Sequence, residues 1–275
     1  MIIIYYYISV LQINKIYNMD CLEGIAQIHD SSIQITCSSP PYQKVRDYHG
    51  YSFNFEKTAD ELYRITSDGG VVCWIIGDSV EKGSETLEPF RQALYFKSIG
   101  FFIHDTMIYQ KRNFSHPEKN RYHSVFEYVF IITKGKLKTF NPIMDRKNIT
   151  AGAVGNLGIN SFTEKDGSKS IRKKQITKEF GKRHNIWLGN TAGQENMCKE
   201  LKHPAIAPRW LCSDLIKSFS NEGDICFDPC SGSGTSLIEA SKLKRHFIGI
   251  EISKEYCLLS QEKFKEEMGV DVEIV

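Results

Sequence analysis

Three short stretches carry side chains and backbone suited to chemistry. The first is Phe227-Asp228-Pro229-Cys230-Ser231-Gly232-Ser233-Gly234-Thr235, a glycine-rich run between an apolar strand pattern and a helical one. Glycines in that context let a ligand approach the backbone, and the start of a helix favours an anionic group. No lysine follows the last glycine, so this is not a Walker A loop, and the third glycine of the dinucleotide fingerprint is missing. Taken alone, the glycine pair fits a tight strand-to-helix turn equally well. About twenty residues on, the apolar run Phe247-Ile248-Gly249-Ile250 ends in Glu251. A carboxylate at the tip of a neighbouring strand accepts hydrogen bonds from both ribose hydroxyls of an adenosine-containing ligand; a surface glutamate is the plain alternative. The third stretch is Cys37-Ser38-Ser39-Pro40-Pro41-Tyr42, again at the end of a strand pattern. Two prolines fix the chain and leave carbonyls without a local ladder. A serine, a carbonyl and an aromatic ring then project from a rigid turn. That grouping suits a planar heteroaromatic amine, held by oxygen acceptors and stacked on the ring, although Pro-Pro turns are common without any such role.

The elements that must position these groups alternate between strand and helix. Strands are expected at Ile33–Cys37, Gly70–Ile76, Phe101–Tyr109, Val125–Thr133, Ile225–Phe227 and His246–Glu251, with helices at Leu87–Ser98 and Thr235–Leu243. The run Gly70–Ile76 (GVVCWII) is apolar throughout, as expected of a parallel strand buried on both faces. This alternation implies an α/β sheet with crossover helices. The apolar start, MIIIYYYISVLQI, reads as a strand; it lacks a basic leader and is shorter than the roughly 20 residues of a membrane span.

The 275-residue chain holds 35 Lys+Arg against 33 Asp+Glu, a net charge of only +2 that gives no basic footprint at first sight. Its 41% hydrophobic content excludes a disordered or collagen-like chain. The 8 cysteines include no C-x-x-C pair, which excludes a zinc knuckle or thioredoxin-type motif and favours a reduced, cytoplasmic setting. Charge is unevenly placed, however. Lys136–Arg183 carries 12 Lys/Arg against 4 Asp/Glu, hence +8, and leaves −6 for the rest of the chain. Apolar periodicity fades in this segment, and Gly, Ser and Asn become frequent. A long irregular segment inside a compact domain is usually functional, although a solvated loop would read the same way.

The ordered set of motifs resembles the S-adenosylmethionine-dependent DNA amino-methyltransferases of the β group, in which an S/D-P-P-Y motif precedes D-P-x-x-G-S-G-T. Asn18-Met19-Asp20-Cys21 resembles the family opening, with Met19 where glycine is usual. Lys202-His203-Pro204-Ala205 resembles the segment that closes over the methionine end. Phe126-Glu127-Tyr128-Val129 resembles a late strand, with Phe126 where histidine is common, and Cys230 replaces a more usual aromatic.

This resemblance implies a doubly wound, mostly parallel sheet of the Rossmann-like class I methyltransferase type. Residues 1–135 would form the catalytic part, 136–199 a target-recognition insert, and 200–275 the cofactor-binding part of the same domain. S-adenosylmethionine would be held by Asp20, His203, Asp228, Gly232, Ser233, Gly234, Thr235 and Glu251. Ser39, Pro40 and Tyr42 would receive a flipped base, with neither a metal nor a covalent enzyme intermediate required. Arg172, Lys173, Lys174, Lys182 and Arg183 would contact phosphates of double-stranded DNA. Serine at the first motif position is similar to the cytosine-N4 enzymes, with adenine-N6 as the alternative. A cognate restriction endonuclease or an orphan role both fit, as does a prokaryotic or phage source. A catalytically silent DNA-binding regulator on the same scaffold is the rival reading, and the intact SSPPY motif opposes it.

Overall fold

The computed structural model describes residues 11–41, 53–113, 119–152, 161–163, 165–171, 176–192 and 207–275. Residues 1–10 of the expected N-terminal strand lie outside these, as do Tyr42, Arg172, Lys173, Lys174 and His203. Strand β1 (Lys15–Tyr17), helix α1 (Cys21–Ile25) and strand β2 (Ile33–Ser38) come first, followed by α2 (Phe55–Ile65) and β3 (Thr66–Ile76). The two-residue strands β4 (Val80–Glu81) and β5 (Ser84–Glu85) form a hairpin before α3 (Glu88–Ser98), β6 (Phe102–Lys111) and β7 (Phe126–Thr133). Four short strands follow: β8 (Arg146–Lys147), β9 (Ser161–Thr163), β10 (Lys169–Ile171) and β11 (Phe180–Gly181). The chain ends with β12 (Ile186–Gly189), α4 (Arg209–Phe219), β13 (Ile225–Asp228), α5 (Thr235–Lys242), β14 (His246–Ile250) and α6 (Lys254–Met268).

Eight of these strands make one sheet in the order β1-β14-β13-β2-β3-β7-β6-β12. Every neighbouring pair is parallel except those of β7, which runs against both β3 and β6. The strands and helices expected after residue 13 are present at these places, whereas residues 11–13 of the apolar start are not strand and lead through a turn into β1 at Lys15–Tyr17; the reversed direction of β7 is a detail that its apolar pattern does not encode. Strand β3 begins four residues earlier than its apolar run, because Thr66 pairs with Ile33 before the register shifts. Its segment Gly69–Ile76 is buried throughout, since helices cover both faces of the sheet.

One face packs Trp74, Ile76, Phe130, Ile132 and Ile250 against Ile25 of α1, Leu62 of α2 and Phe96 of α3. Here Trp74 meets Phe96 edge-on at 5.4 Å and donates its indole N–H to Gln92 at 2.7 Å, so the one polar atom of a fully buried ring is satisfied. The opposite face carries α4 to α6, where Phe247 of β14 stacks on Phe264 of α6 at 5.0 Å.

The chain divides into two compact units. One runs to Asn141 and resumes at Asn185, and the other is Pro142–His184. The second lies within the expected insert 136–199, whereas Ile186–Gly189 of that span is β12 of the large sheet. Within Pro142–His184, β8 pairs with β11 and β9 with β10, both antiparallel. Among the described residues no helix is long and apolar enough to cross a membrane.

Candidate cofactor and active site

Strand order sets the location of the site. From β2 the crossover through α2 leads one way to β3, and from β13 the crossover through α5 leads the other way to β14. Neighbours β2 and β13 are therefore the point where winding reverses, and open α/β sheets bind ligands in the crevice beyond such a point. A pocket of about 1100 Å³, counting its open mouth, lies there. Much of its lining comes from the C-terminal ends of four adjacent strands and the residues that follow: Asp20 after β1, Glu251 after β14, Asp228 at the end of β13 with Cys230, Gly232, Ser233, Thr235 and Ser236 beyond it, and Ser38 at the end of β2 with Ser39 and Pro41 beyond it.

Each lining group is held by local chemistry. Asp20 caps α1, accepting a hydrogen bond from the Leu22 N–H at 2.8 Å. Glu251 accepts from two backbone amides, Gly232 N–H at 2.8 Å and Ser253 N–H at 2.9 Å. A carboxylate offers about four acceptor positions, so these two bonds leave capacity for ligand hydroxyls. Burial raises the Glu251 carboxyl above the ordinary glutamate range, and the backbone bonds oppose that rise. Gly232 and Gly234 have φ of +52° and +77°, values that side chains rarely adopt. A Cβ at Gly234 would also collide with the Ser260 hydroxyl. Gly234, with both the φ and the collision, needs glycine for reasons independent of any ligand.

Asp228 is 4% exposed. Its Oδ1 accepts from the Ser38 hydroxyl at 2.7 Å and the Cys230 N–H at 3.0 Å, and its Oδ2 from the Ser236 hydroxyl. Burial pushes its carboxyl up to about 6; the serine and backbone bonds pull it back, and nearby Glu251 adds to the rise. Two thiols share the pocket wall, and their interaction lowers the Cys21 pKa and, with burial, raises that of Cys230.

The residues suit the cofactor named by the resemblance. Thr235 Oγ1 is buried with no hydrogen-bond partner among the described residues, although it lines the pocket at the first residue of α5. A buried hydroxyl left unpaired costs free energy, and a polar ligand group at this helix start supplies the missing partner. The α5 N-terminus favours an anionic group such as a carboxylate, and Glu251 and Asp20 provide acceptors for a sugar and a base.

Of the residues singled out from sequence, the structure brings Asp20, Ser39, Asp228, Gly232, Ser233, Thr235 and Glu251 to this one pocket. Gly234 sits in the same loop, and Pro40 is buried in the turn. Lys182 and Arg183 belong to the Pro142–His184 unit, where Lys182 is exposed and Arg183 pairs with Asp145. Sequence reasoning missed Ser38, Phe53, Ser236, Ser253 and Tyr256, all of which line the pocket. Single serines and aromatics carry no signal of their own; only Ser38 has one beside it, in the Pro-Pro turn.

Known proteins are similar to this chain in sequence and in fold. The N6/N4 DNA methylase family matches residues 33–262. The orphan methyltransferase M.BamHII of Bacillus amyloliquefaciens is 51% identical over 241 residues, 86% of this chain and 91% of that protein. The type II methyltransferase M1.MboII of Moraxella bovis is 26% identical, over 90% of this chain and 94% of its own. In fold, the chain is similar to the PvuII cytosine-N4-specific DNA methyltransferase, with TM-score 0.65, 16% identity, and coverage of 93% of this chain and 87% of that one. It is likewise similar to a DNA modification methylase of Thermus thermophilus, solved in complex with S-adenosyl-L-methionine, with TM-score 0.62, 19% identity, and coverage of 94% and 98%. The chain belongs to the N6/N4 DNA methylase family, the S-adenosylmethionine-dependent amino-methyltransferases.

Proposed function

We propose that this protein methylates the exocyclic N4 amine of a cytosine flipped out of double-stranded DNA, at a specific site, as an orphan enzyme or beside a cognate endonuclease. The carrying observation is Ser39 on the wall of the pocket that also holds Asp228 and Glu251. Serine, where aspartate is usual in adenine-N6 enzymes, favours cytosine.

Bound S-adenosylmethionine supplies an electrophilic methyl group. Glu251 holds the ribose, Asp20 the adenine, and Asp228 with Gly232, Ser233, Gly234, Thr235 and His203 the methionine portion. An amine inside a duplex lies out of reach, so the base leaves the stack and packs on Tyr42. The Ser39 hydroxyl oxygen and the Pro40 carbonyl accept hydrogen bonds from its amino group. These bonds aim the nitrogen lone pair and stabilise positive charge developing on the nitrogen, so catalysis is positioning plus electrostatics. Arg172, Lys173, Lys174, Lys182 and Arg183 supply phosphate contacts from the basic segment, where they set register rather than sequence.

The test is digestion of DNA after reaction, with the modified nucleoside identified by mass and chromatographic standard. N4-methylcytosine is expected. Finding 6-methyladenine alone would sink the cytosine assignment while leaving the family intact.

A further inference from the structure

The backbone ladder between β2 and β13 is short. It joins Cys226 to Ile35 and Phe227 to Thr36, and no further register partner follows toward Ser38 and Asp228. Beyond these pairs, Cys37, Ser38 and Asp228 line the pocket. Just beyond the last ladder pair, the Ser38 hydroxyl donates to Asp228 Oδ1 at 2.7 Å, with Ser38 2% and Asp228 4% exposed. The same carboxylate grips the glycine loop through Cys230 N–H and α5 through the Ser236 hydroxyl. Ser38 also pairs with Trp74 of β3, so its backbone is fixed on one side and its side chain on the other. Ser39 is the next residue.

We propose that Ser38 is a positioning residue for methyl transfer: its hydroxyl, clamped on Asp228, holds the Ser39-Pro40 turn at a set distance and angle from the cofactor loop. The clamp lies just beyond the last register pair of the two strands, and it ties the group that would grip the substrate amine to the loop that would hold the methyl donor. Its reach is one covalent step, from Ser38 to Ser39. Burial makes the clamp stiff, because water does not compete for either partner and a hydrogen bond to a carboxylate is roughly twice as strong as a neutral one. The inference rests on the assignment of Ser39 and Pro40 above.

The clamp also bears on the charge of Asp228. Burial and nearby Glu251 disfavour ionisation of this carboxyl, the Ser236 and Ser38 hydroxyls and the Cys230 N–H favour it, and the charge in turn disfavours ionisation of the Cys230, Cys226, Cys212 and Cys37 thiols. Loss of the Ser38 bond therefore moves Asp228 protonation to higher pH, a change that a packing defect elsewhere would not produce.

The test is single-turnover methyl transfer on duplex DNA by the full chain carrying Ser38→Ala or Ser38→Thr, with Ser39→Ala in parallel and S-adenosylmethionine affinity measured by calorimetry. A misplacement of a fraction of an ångström at a reacting centre costs on the order of 10- to 100-fold. In Ser38→Ala the transfer rate is expected to fall about 30-fold at saturating cofactor, with cofactor affinity within about threefold of wild type and the acid limb of the pH profile moved upward. Ser38→Thr, which keeps the hydroxyl, is expected to recover most of the rate. An unchanged rate in Ser38→Ala overturns the inference, and so does a loss confined to cofactor affinity. The parallel variant separates the two levels: wild-type turnover in Ser39→Ala removes the reading of the turn itself, whereas loss there with no loss in Ser38→Ala removes only the clamp.

Discussion

At the pocket, Asp228 and Glu251 are 4% and 8% exposed and are held by hydroxyl and backbone donors from the surrounding strands and loops. In the Pro142–His184 unit, Arg146, Lys147, Lys165, Lys178 and Lys182 are exposed, and Arg183, paired with Asp145, is held between the acid and solvent. The first region fixes a few polar atoms tightly by burying them; the second displays many charges that adjust to what they meet. Chemistry on a bound group gains from fixed geometry, while phosphate binding gains from accessible charge that displaces counterions. The near-neutral total of +2 hides this division, since it sums a basic segment and an acidic remainder.

Small changes at the pocket should therefore have large effects. Gly234→Ala should cause the greatest loss, because a side chain at φ +77° meets Ser260 directly. Strain and overpacking together should cost about 3 kcal/mol in denaturant unfolding, and calorimetry should show cofactor affinity down by about 100-fold or more. Retained affinity would mean that the loop has more room than its geometry allows.

Asp228 provides a pH signature of comparable size. Its carboxyl, raised to about 6 from the ordinary 3.8, binds its proton more tightly in the folded than in the unfolded state. The associated stability is present in full below about pH 3.8 and is lost as pH rises through about 6, a change of about 3 kcal/mol over that window. Asp228→Asn should therefore raise stability at pH 7.5 relative to wild type while weakening methyl transfer. That advantage should shrink on acidification to pH 4, as followed by urea midpoints. A destabilised Asp228→Asn at pH 7.5 would show that the carboxylate's hydrogen bonds outweigh its burial.

Glu251→Gln should lower cofactor affinity by about 10- to 100-fold, the value of charge-assisted hydrogen bonds to a ligand, with turnover at saturation little changed. Calorimetry and a cofactor titration of initial rate check both halves. The basic segment should respond more gently. Charge-neutral replacement of Arg172, Lys173, Lys174 and Lys182 should weaken DNA binding and reduce the slope of log affinity against log salt by about one for each true contact, with cofactor affinity unchanged. An unaltered slope would remove these residues from the interface.

Much of this architecture is readable in the residues themselves. The run Gly70–Ile76 is apolar enough to mark a strand buried on both faces, and Glu251 follows an apolar strand that aims it at the sheet edge. Helix α2 is not among the expected elements, although Phe55, Ala59, Leu62 and Ile65 make a helical stripe behind the capping Asn54. Other features depend on distance in the chain. Ser38 and Asp228 are 190 residues apart, and no local pattern announces that two strand ends will meet. The reversal of β7 is similarly hidden, because a strand buried on both faces looks alike in either direction.

In the proposed function the pocket binds the methyl donor through Asp228, Glu251 and the glycine loop, while the Ser39-Pro40 turn performs a separable task on the substrate amine. The most direct measurement is labelled methyl transfer to duplex DNA by Ser39→Ala, with cofactor affinity determined on the same preparation. A rate reduced by about 100-fold or more is expected, with cofactor affinity within about threefold of wild type. Transfer at the wild-type rate, or a loss traced entirely to cofactor affinity, would contradict this reading.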